Sequence, residues 1–298
     1  MRWLSIVVVC AASIARSDPA PAPTTSAPRP MDPSDLTSLT DDPVLGKAAR
    51  VNGDEAKNVV AFTFDDGPNP ETTPRVLDAL ERYDIPATFF IVTSRIVGKL
   101  GAKSRDVLAR ELADGFTVGS HSVTHPNLGK ATGKELDREI DQSIRTLSRE
   151  AGRPIGLFRP PYGALSGAGR MRLKRLGVTE VIWSVDTLDW RAHDRERLRK
   201  KVLAMILHDH GGIVLMHDVK PITASVIADV LDDLEAENCR RLAAHEDPIL
   251  PVSIHYFLRD GKTARPVPDA VAKRTDAYRT ALPERCAKRA TAKAAVTP

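Results

Sequence analysis

Several features are missing from this chain of 298 residues. No Gly-rich phosphate loop follows any predicted strand, which argues against a nucleotide site. No segment repeats at a fixed period. No apolar run beyond the first 17 residues is long enough to span a bilayer, so no transmembrane span is expected. Charge of one sign is not sustained. The net charge is +4, and residues 271–298 alone carry seven Lys/Arg against two acids. The rest of the chain is therefore close to neutral, and no nucleic-acid partner is expected. The basic C-terminal stretch reads as a solvated tail that could also touch an anionic envelope polymer. Only three cysteines occur. Cys10 lies in the N-terminal leader, which leaves Cys239 and Cys286 as either a disulfide pair or two free thiols.

What is present begins with "MRWLSIVVVCAASIARS", a basic residue, an apolar stretch and then small residues. That is the grammar of a signal peptide over residues 1–17, with Ser13-Ile14-Ala15 as a cleavage site. Cys10 also permits a lipoprotein anchor. Export to the periplasm, the medium or the cell envelope is expected, and there an even cysteine pair would oxidise. Residues 18–57 include "DPAPAPTTSAPRPMDP", which cannot build a core and reads as a largely disordered linker. The ordered domain is expected over 58–260, followed by the basic tail at 261–298.

Within 58–260 strands and helices alternate. "VVAFTF", "ATFFIV", "TVGSH", "GLFRP", "VTEVIWSVD", "GIVLMHD" and "ILPVSIHYFL" read as strands. Helical segments separate all seven, the longest being the amphipathic "TGKELDREIDQSIRTLSREAG", and Thr72 or Thr73 is the expected cap of the first. About seven such units predict an α/β fold, a distorted (β/α) barrel with a parallel sheet. An open doubly wound sheet is the competitor.

The unusual polar residues fall at the strand ends. Asp65 and Asp66 end the first strand, and His121 and His125 follow the third. Arg159 ends the fourth. Asp186, Asp189 and Trp190 end the fifth, and His217 and Asp218 end the sixth. A parallel barrel gathers these ends on one face, where active sites lie. Two imidazoles four residues apart plus one carboxylate can bind a metal with positions left for water. Taken alone, adjacent aspartates are as well explained by a solvated turn, and H-x-x-x-H alone is a weak signal.

Five motifs, "TFDDGP", "HSVTHP", "RPPYG", "DTLDW" and "LMHD", occur in this order. They resemble the carbohydrate esterase family 4 polysaccharide deacetylases over about residues 58–257. The resemblance implies a metal-dependent hydrolase that removes acetyl groups from N-acetylated or O-acetylated sugars. It assigns Asp66, His121 and His125 as ligands of one divalent ion, zinc first, with Co, Mn or Ni as alternatives. Asp65 resembles the catalytic base, Arg159 the residue that orients it, and His217 the general acid. Asp189 resembles the partner that tunes His217. The backbone N–H of Tyr162 resembles an oxyanion donor, and Trp190, Leu215, Pro160 and Tyr162 resemble substrate contacts.

The expected partner is an acetylated polysaccharide bound by a monomer. Peptidoglycan N-acetylglucosamine is the first expectation, and chitin oligomers or xylan are the alternatives. A non-catalytic glycan binder and a cyclic-amide amidase on the same scaffold are competing readings. A binder would not need both Asp65 and His217.

Overall fold

The computed structural model describes residues 50–54, 57–99, 101–258 and 269–296. The leader, Cys10 and most of the Pro-rich segment lie outside the described residues. The architecture is a parallel sheet in the order β1-β6-β5-β4-β3-β2-β8-β7. The strands are β1 (Arg50–Val51), β2 (Val59–Asp65), β3 (Ala87–Ile91), β4 (Thr117–Ser120), β5 (Leu157–Phe158), β6 (Thr179–Val181), β7 (Val185–Asp186) and β8 (Gly211–His217). A short β9 (Leu250–Pro251) pairs with the start of β2. Helices α1 (Thr73–Arg82), α2 (Ala102–Ala113), α5 (Gly167–Leu176), α6 (Arg195–His208) and α7 (Pro221–Ala243) link the strands. Between β4 and β5, α3 (Gly133–Leu136) runs through a π-helical turn (Asp137–Gln142) into α4 (Ser143–Ala151). Eight parallel strands curl into a half-barrel wrapped by helices, as the alternating pattern predicts.

β2 is buried at all seven positions, as a strand covered on both faces must be. Its side chains alternate with period two. Val60, Phe62 and Phe64 pack outward against the helices, whereas Val59 and Ala61 join Phe90, Leu157, Val181 and Ile213 inside the barrel. Continuing the alternation turns Thr63 and Asp65 inward, so Asp65 emerges at the C-terminal mouth. β8 runs in full register with β2, from Val59 opposite Gly211 to Asp65 opposite His217. Gly211 permits this approach. It has φ +107°, and a Cβ there would lie 1.9 Å from the Val59 carbonyl oxygen.

Several expectations need correction. "VTEVIWSVD" is two strands: β6 pairs with β5 and β7 with β8, and Ile182–Ser184 bridge the gap where the sheet stays open. "ILPVSIHYFL" contributes only β9, after which Ser253 caps the short helix Ile254–Tyr256. Thr72 precedes α1 without a side-chain cap. Asn69 does that work, its Oδ1 accepting from the N–H groups of Glu71 and Thr72. Ordered structure also begins before Asn58, since β1 pairs with β6 and buries Val51.

The basic C-terminal stretch is not a solvated tail. It forms α8 (Asp269–Val296), and two of its arginines meet acids of the body. Arg285 pairs with Asp84 and Glu235, and Arg289 with Asp232 and Glu235. Tyr278 and Leu282 are buried among the core residues. Among the described residues, two of the seven basic side chains that the sequence concentrates here are thus paired with acids of the body. Cys239 of α7 faces Cys286 of α8 with Cα atoms 5.2 Å apart, within disulfide reach.

Candidate active site

The strand ends converge as the barrel geometry requires. A cavity of about 410 Å³ is lined by Asp65, Asp66, His121, His125, Tyr162, Trp183, Asp186, Trp190, Leu215, His217 and Lys220.

One set of atoms suits a metal. Asp66 Oδ1 lies 3.2 Å from His125 Nε2 and 3.7 Å from His121 Nε2. One donor atom from each residue lies within 4.8 Å of the other two. His121 Nδ1 is 2.7 Å from the carbonyl oxygen of Arg159, which can only accept, so Nδ1 carries the proton. Nε2 is left with a free lone pair aimed at the carboxylates, the form in which histidine binds metals. Burial lowers the His121 pKa to about 3, with Asp66 opposing, so the ring stays neutral. Asp66 Oδ1 is buried with no hydrogen-bond partner. A buried carboxylate oxygen without a donor is costly, and a divalent ion at this point would remove the cost. The donor set therefore fits the expected ion.

The backbone carries strain here. Asp66, Ser122, His125 and Tyr162 are non-glycine residues with φ of 76°, 69°, 63° and 60°. Each costs on the order of 1–3 kcal/mol, and such residues cluster where a site over-determines them.

Asp65 is buried, with Oδ1 accepting from Arg159 Nη1 at 2.8 Å. Arg159 is itself fully buried. The same Nη1 donates to Thr63 Oγ1, Nε reaches the Val181 carbonyl, and the guanidinium lies 4.2 Å over the Phe90 ring. Burial pushes the Asp65 pKa up against the lowering pull of Arg159. Arg159 thus fixes one oxygen and leaves Oδ2 toward the cavity.

His217 Nδ1 pairs with Asp189 Oδ1 at 2.7 Å. Asp189 Oδ2 accepts from the His217 backbone N–H and the Thr223 hydroxyl. Burial works against the imidazolium, but the Asp189 bond and charge, with Asp65 and Asp66, raise its pKa to about 9. His217 is therefore protonated at neutral pH and able to give a proton.

Of the sequence-predicted residues, Arg159 and Asp189 lie behind the cavity wall and act through Asp65 and His217. Pro160 does not line the cavity. It is buried beneath the turn Pro161–Gly163, where its carbonyl accepts from Gly163 N–H. Tyr162 is exposed at the rim with its ring 4.7 Å from that of His125. Trp190 and Leu215 line the wall. Asp186 lines the cavity too, and its Oδ1 accepts from Leu188 N–H. Asp218 is buried away from the cavity and accepts from the Thr73 hydroxyl.

Sequence reasoning missed Trp183, Lys220 and Glu139. Trp183 reads as strand interior, but it falls in the gap between β6 and β7. Lys220 lies three residues beyond His217, a strand-end signal that could have found it. Glu139 gives no such signal. It is fully buried in the π turn, where its carboxylate accepts from the backbone N–H groups of Val123 and Thr124 and from the Thr124 hydroxyl. It thereby holds the loop between the two imidazoles.

Residues 52–181 match the family described as polysaccharide deacetylase. The chain is 37% identical over 178 residues to the peptidoglycan-N-acetylglucosamine deacetylase PgdA of Listeria monocytogenes, covering 60% of this chain but only 36% of that protein. It is 34% identical over 188 residues to a chitooligosaccharide deacetylase of Azorhizobium caulinodans, covering 63% of this chain and 85% of that protein. Among solved structures it resembles the Bc1960 peptidoglycan N-acetylglucosamine deacetylase, with a TM-score of 0.58 and 27% identity over 70% of this chain and 91% of the other.

Proposed function

The chain belongs to the polysaccharide deacetylase family, carbohydrate esterase family 4, and from that membership we propose that it hydrolyses acetyl groups from an N-acetylated envelope glycan, peptidoglycan N-acetylglucosamine first. One observation carries the reading. A metal-type His-His-Asp set, a buried carboxylate base and a protonated histidine face one cavity. A passive glycan binder has no use for all three.

Asp66, His121 and His125 would hold a divalent ion, zinc first, with Co, Mn or Ni as alternatives. When bound, the ion supplies a Lewis acid that polarises the acetyl carbonyl and makes water acidic enough to attack near neutral pH. Asp65, oriented by Arg159, accepts the proton of the attacking water at Oδ2. The backbone N–H of Tyr162 is assigned to the developing oxyanion. His217 gives its Nε2 proton to the leaving nitrogen as the C–N bond breaks, and the products are acetate and a free amine. Asp189 holds the imidazole in the required tautomer. Trp190 and Leu215 wall the acetyl group.

The chain acts outside the cytoplasm in this reading. The leader is its support, along with the relatives named for peptidoglycan. No helix among the described residues is long and apolar enough to cross a membrane. In that compartment Cys239 and Cys286 are oxidised to a disulfide. Neutral chitin oligomers are the second reading, favoured by the Azorhizobium relative, of which this chain covers 85%.

The test is acetate release from a panel of acetylated glycans by protein of known metal content. Release from N-acetylglucosamine polymers, lost on chelation and restored by metal, is the expected result. Glycan binding without release by metal-loaded protein would instead establish a binder.

A further inference from the structure

A second cavity, of about 370 Å³, adjoins the first across the segment Thr187–Trp190. It is lined by Thr187, Leu188, Arg191, Ala192, His193, Asp194, Arg197, Leu198 and Lys201. Three permanent cations and one imidazole face it, against a single carboxylate.

The cations of helix α6 fall into two groups. Apart from the exposed Lys200, its Lys and Arg side chains divide between two faces by the i, i+4 rule. Arg195 and Arg199 face α7 and pair with Asp229 and Asp233. Arg197 and Lys201 face the cavity, and neither they nor Arg191 has a carboxylate partner among the described residues. Asp194, the one carboxylate at the cavity, uses its Oδ1 to cap the helix by accepting from the Arg197 backbone N–H, and three cations stand against its single charge. Lys201 is held in place, because Nζ donates to the Thr187 carbonyl at 2.9 Å and keeps two protons free. The Arg191 guanidinium stacks 4.2 Å over the Trp190 ring, and Trp190 is a wall of the catalytic cavity. Lys220 extends the positive charge. It lines the catalytic cavity and also the shallow groove that runs past Trp190 to His193 and Arg195. The cationic cavity and the reacting centre therefore share one wall.

We propose that this cavity is a carboxylate-binding subsite, formed by Arg191, His193, Arg197 and Lys201, that selects acetylated glycans bearing acidic substituents over neutral ones. The inference rests on the deacetylase reading above and deepens it by naming a substrate feature. Two guanidiniums offer the planar forks that match a carboxylate, and the ammonium and imidazole add single donors. A neutral chitin oligomer would leave these groups merely solvated. A glycan whose sugars carry lactyl or peptide carboxylates would engage them while its acetamide reaches the metal set.

The experiment compares N-acetylmuramic-acid-containing oligomers with chitin oligomers of the same length. Acetate release gives the ratio of kcat/KM on the two, and calorimetry gives the ratio of binding constants with Asp65→Asn protein. Arg197→Gln and the double variant Arg191→Gln/Arg197→Gln are set against Arg75→Gln, which makes the single variant's charge change at an exposed position of α1. Losing charge-assisted bonds should cut the acidic-over-neutral ratio about tenfold in the Arg197 variants. The ratio should be unchanged in Arg75→Gln and should fall with added salt in the parent protein. Equal use of both oligomers by the parent, or a ratio unmoved in the double variant, overturns the subsite and leaves deacetylation standing. Failure of acetate release from every oligomer would count against the deacetylase reading alone. The calorimetric ratio would then still decide the subsite.

Discussion

Asp65 and His217 are register partners on neighbouring parallel strands, β2 and β8. Both side chains line the same cavity at the mouth of the half-barrel. Each is oriented from behind by an oppositely charged group, Arg159 for Asp65 and Asp189 for His217. An anionic base and a cationic acid are thus held side by side on a rigid sheet, and each favours the ionised form of the other.

The folded-state pKa of His217, about 9, lies above its ordinary 6.5. The protonated acid is therefore available below about 9, and kcat/KM should fall on the alkaline side around that macroscopic value. The linked stability is fully present below 6.5 and is lost as pH rises through 9. Asp189→Asn removes the charge that raises the value, so the alkaline limb should move toward 6.5. A limb that stays near 9 in this variant would show that another group sets it.

Alanine at Asp66, His121 or His125 should abolish tight divalent-metal binding and activity together. The motivation is the convergent donor set with its orphaned Asp66 Oδ1. Elemental analysis of dialysed protein reads the first effect independently of turnover. Stoichiometric metal in a variant lacking both histidines would remove them as ligands.

Glu139 should matter to the metal without touching it. Glu139→Gln keeps the shape but loses charge-assisted bonds to the Val123 and Thr124 N–H groups. We expect a stability loss of about 1–3 kcal/mol. A metal affinity weaker by roughly 10- to 100-fold should accompany it, as for groups that orient ligands. Loss of stability with unaltered metal affinity would limit Glu139 to a structural role.

A disulfide between Cys239 and Cys286 would close a loop of 47 residues and fasten α8 to α7. In the chain-entropy model such a cross-link stabilises by about 4 kcal/mol. Non-reduced mature protein should lack alkylatable thiols, and reductant should lower its Tm. Two thiols labelled in non-reduced native protein would contradict this.

The parallel α/β half-barrel was legible because strands covered on both faces must be apolar and must alternate with helices. The candidate site was legible because polar residues interrupt those runs at their C-terminal ends, as at Asp65, His121 and His217. Strand lengths were less so. "VTEVIWSVD" carries one uninterrupted strand pattern, and only pairing on opposite sides of an open sheet divides it into β6 and β7.

Local pattern thus determined which segments are strands, which residues end them and which motifs they carry. Tertiary structure alone decided what lies behind and beside those ends. Glu139 holds the histidine loop from 16 and 15 residues away. Arg285 and Arg289 of α8 are matched to acids on α7 and the turn after α1, where composition alone pointed to a free tail. On α6, Arg195 and Arg199 lie on a paired face and Arg197 and Lys201 on an open cavity. None of this has a sequence signature, because charge pairing and burial depend on distances in space that local periodicity does not encode.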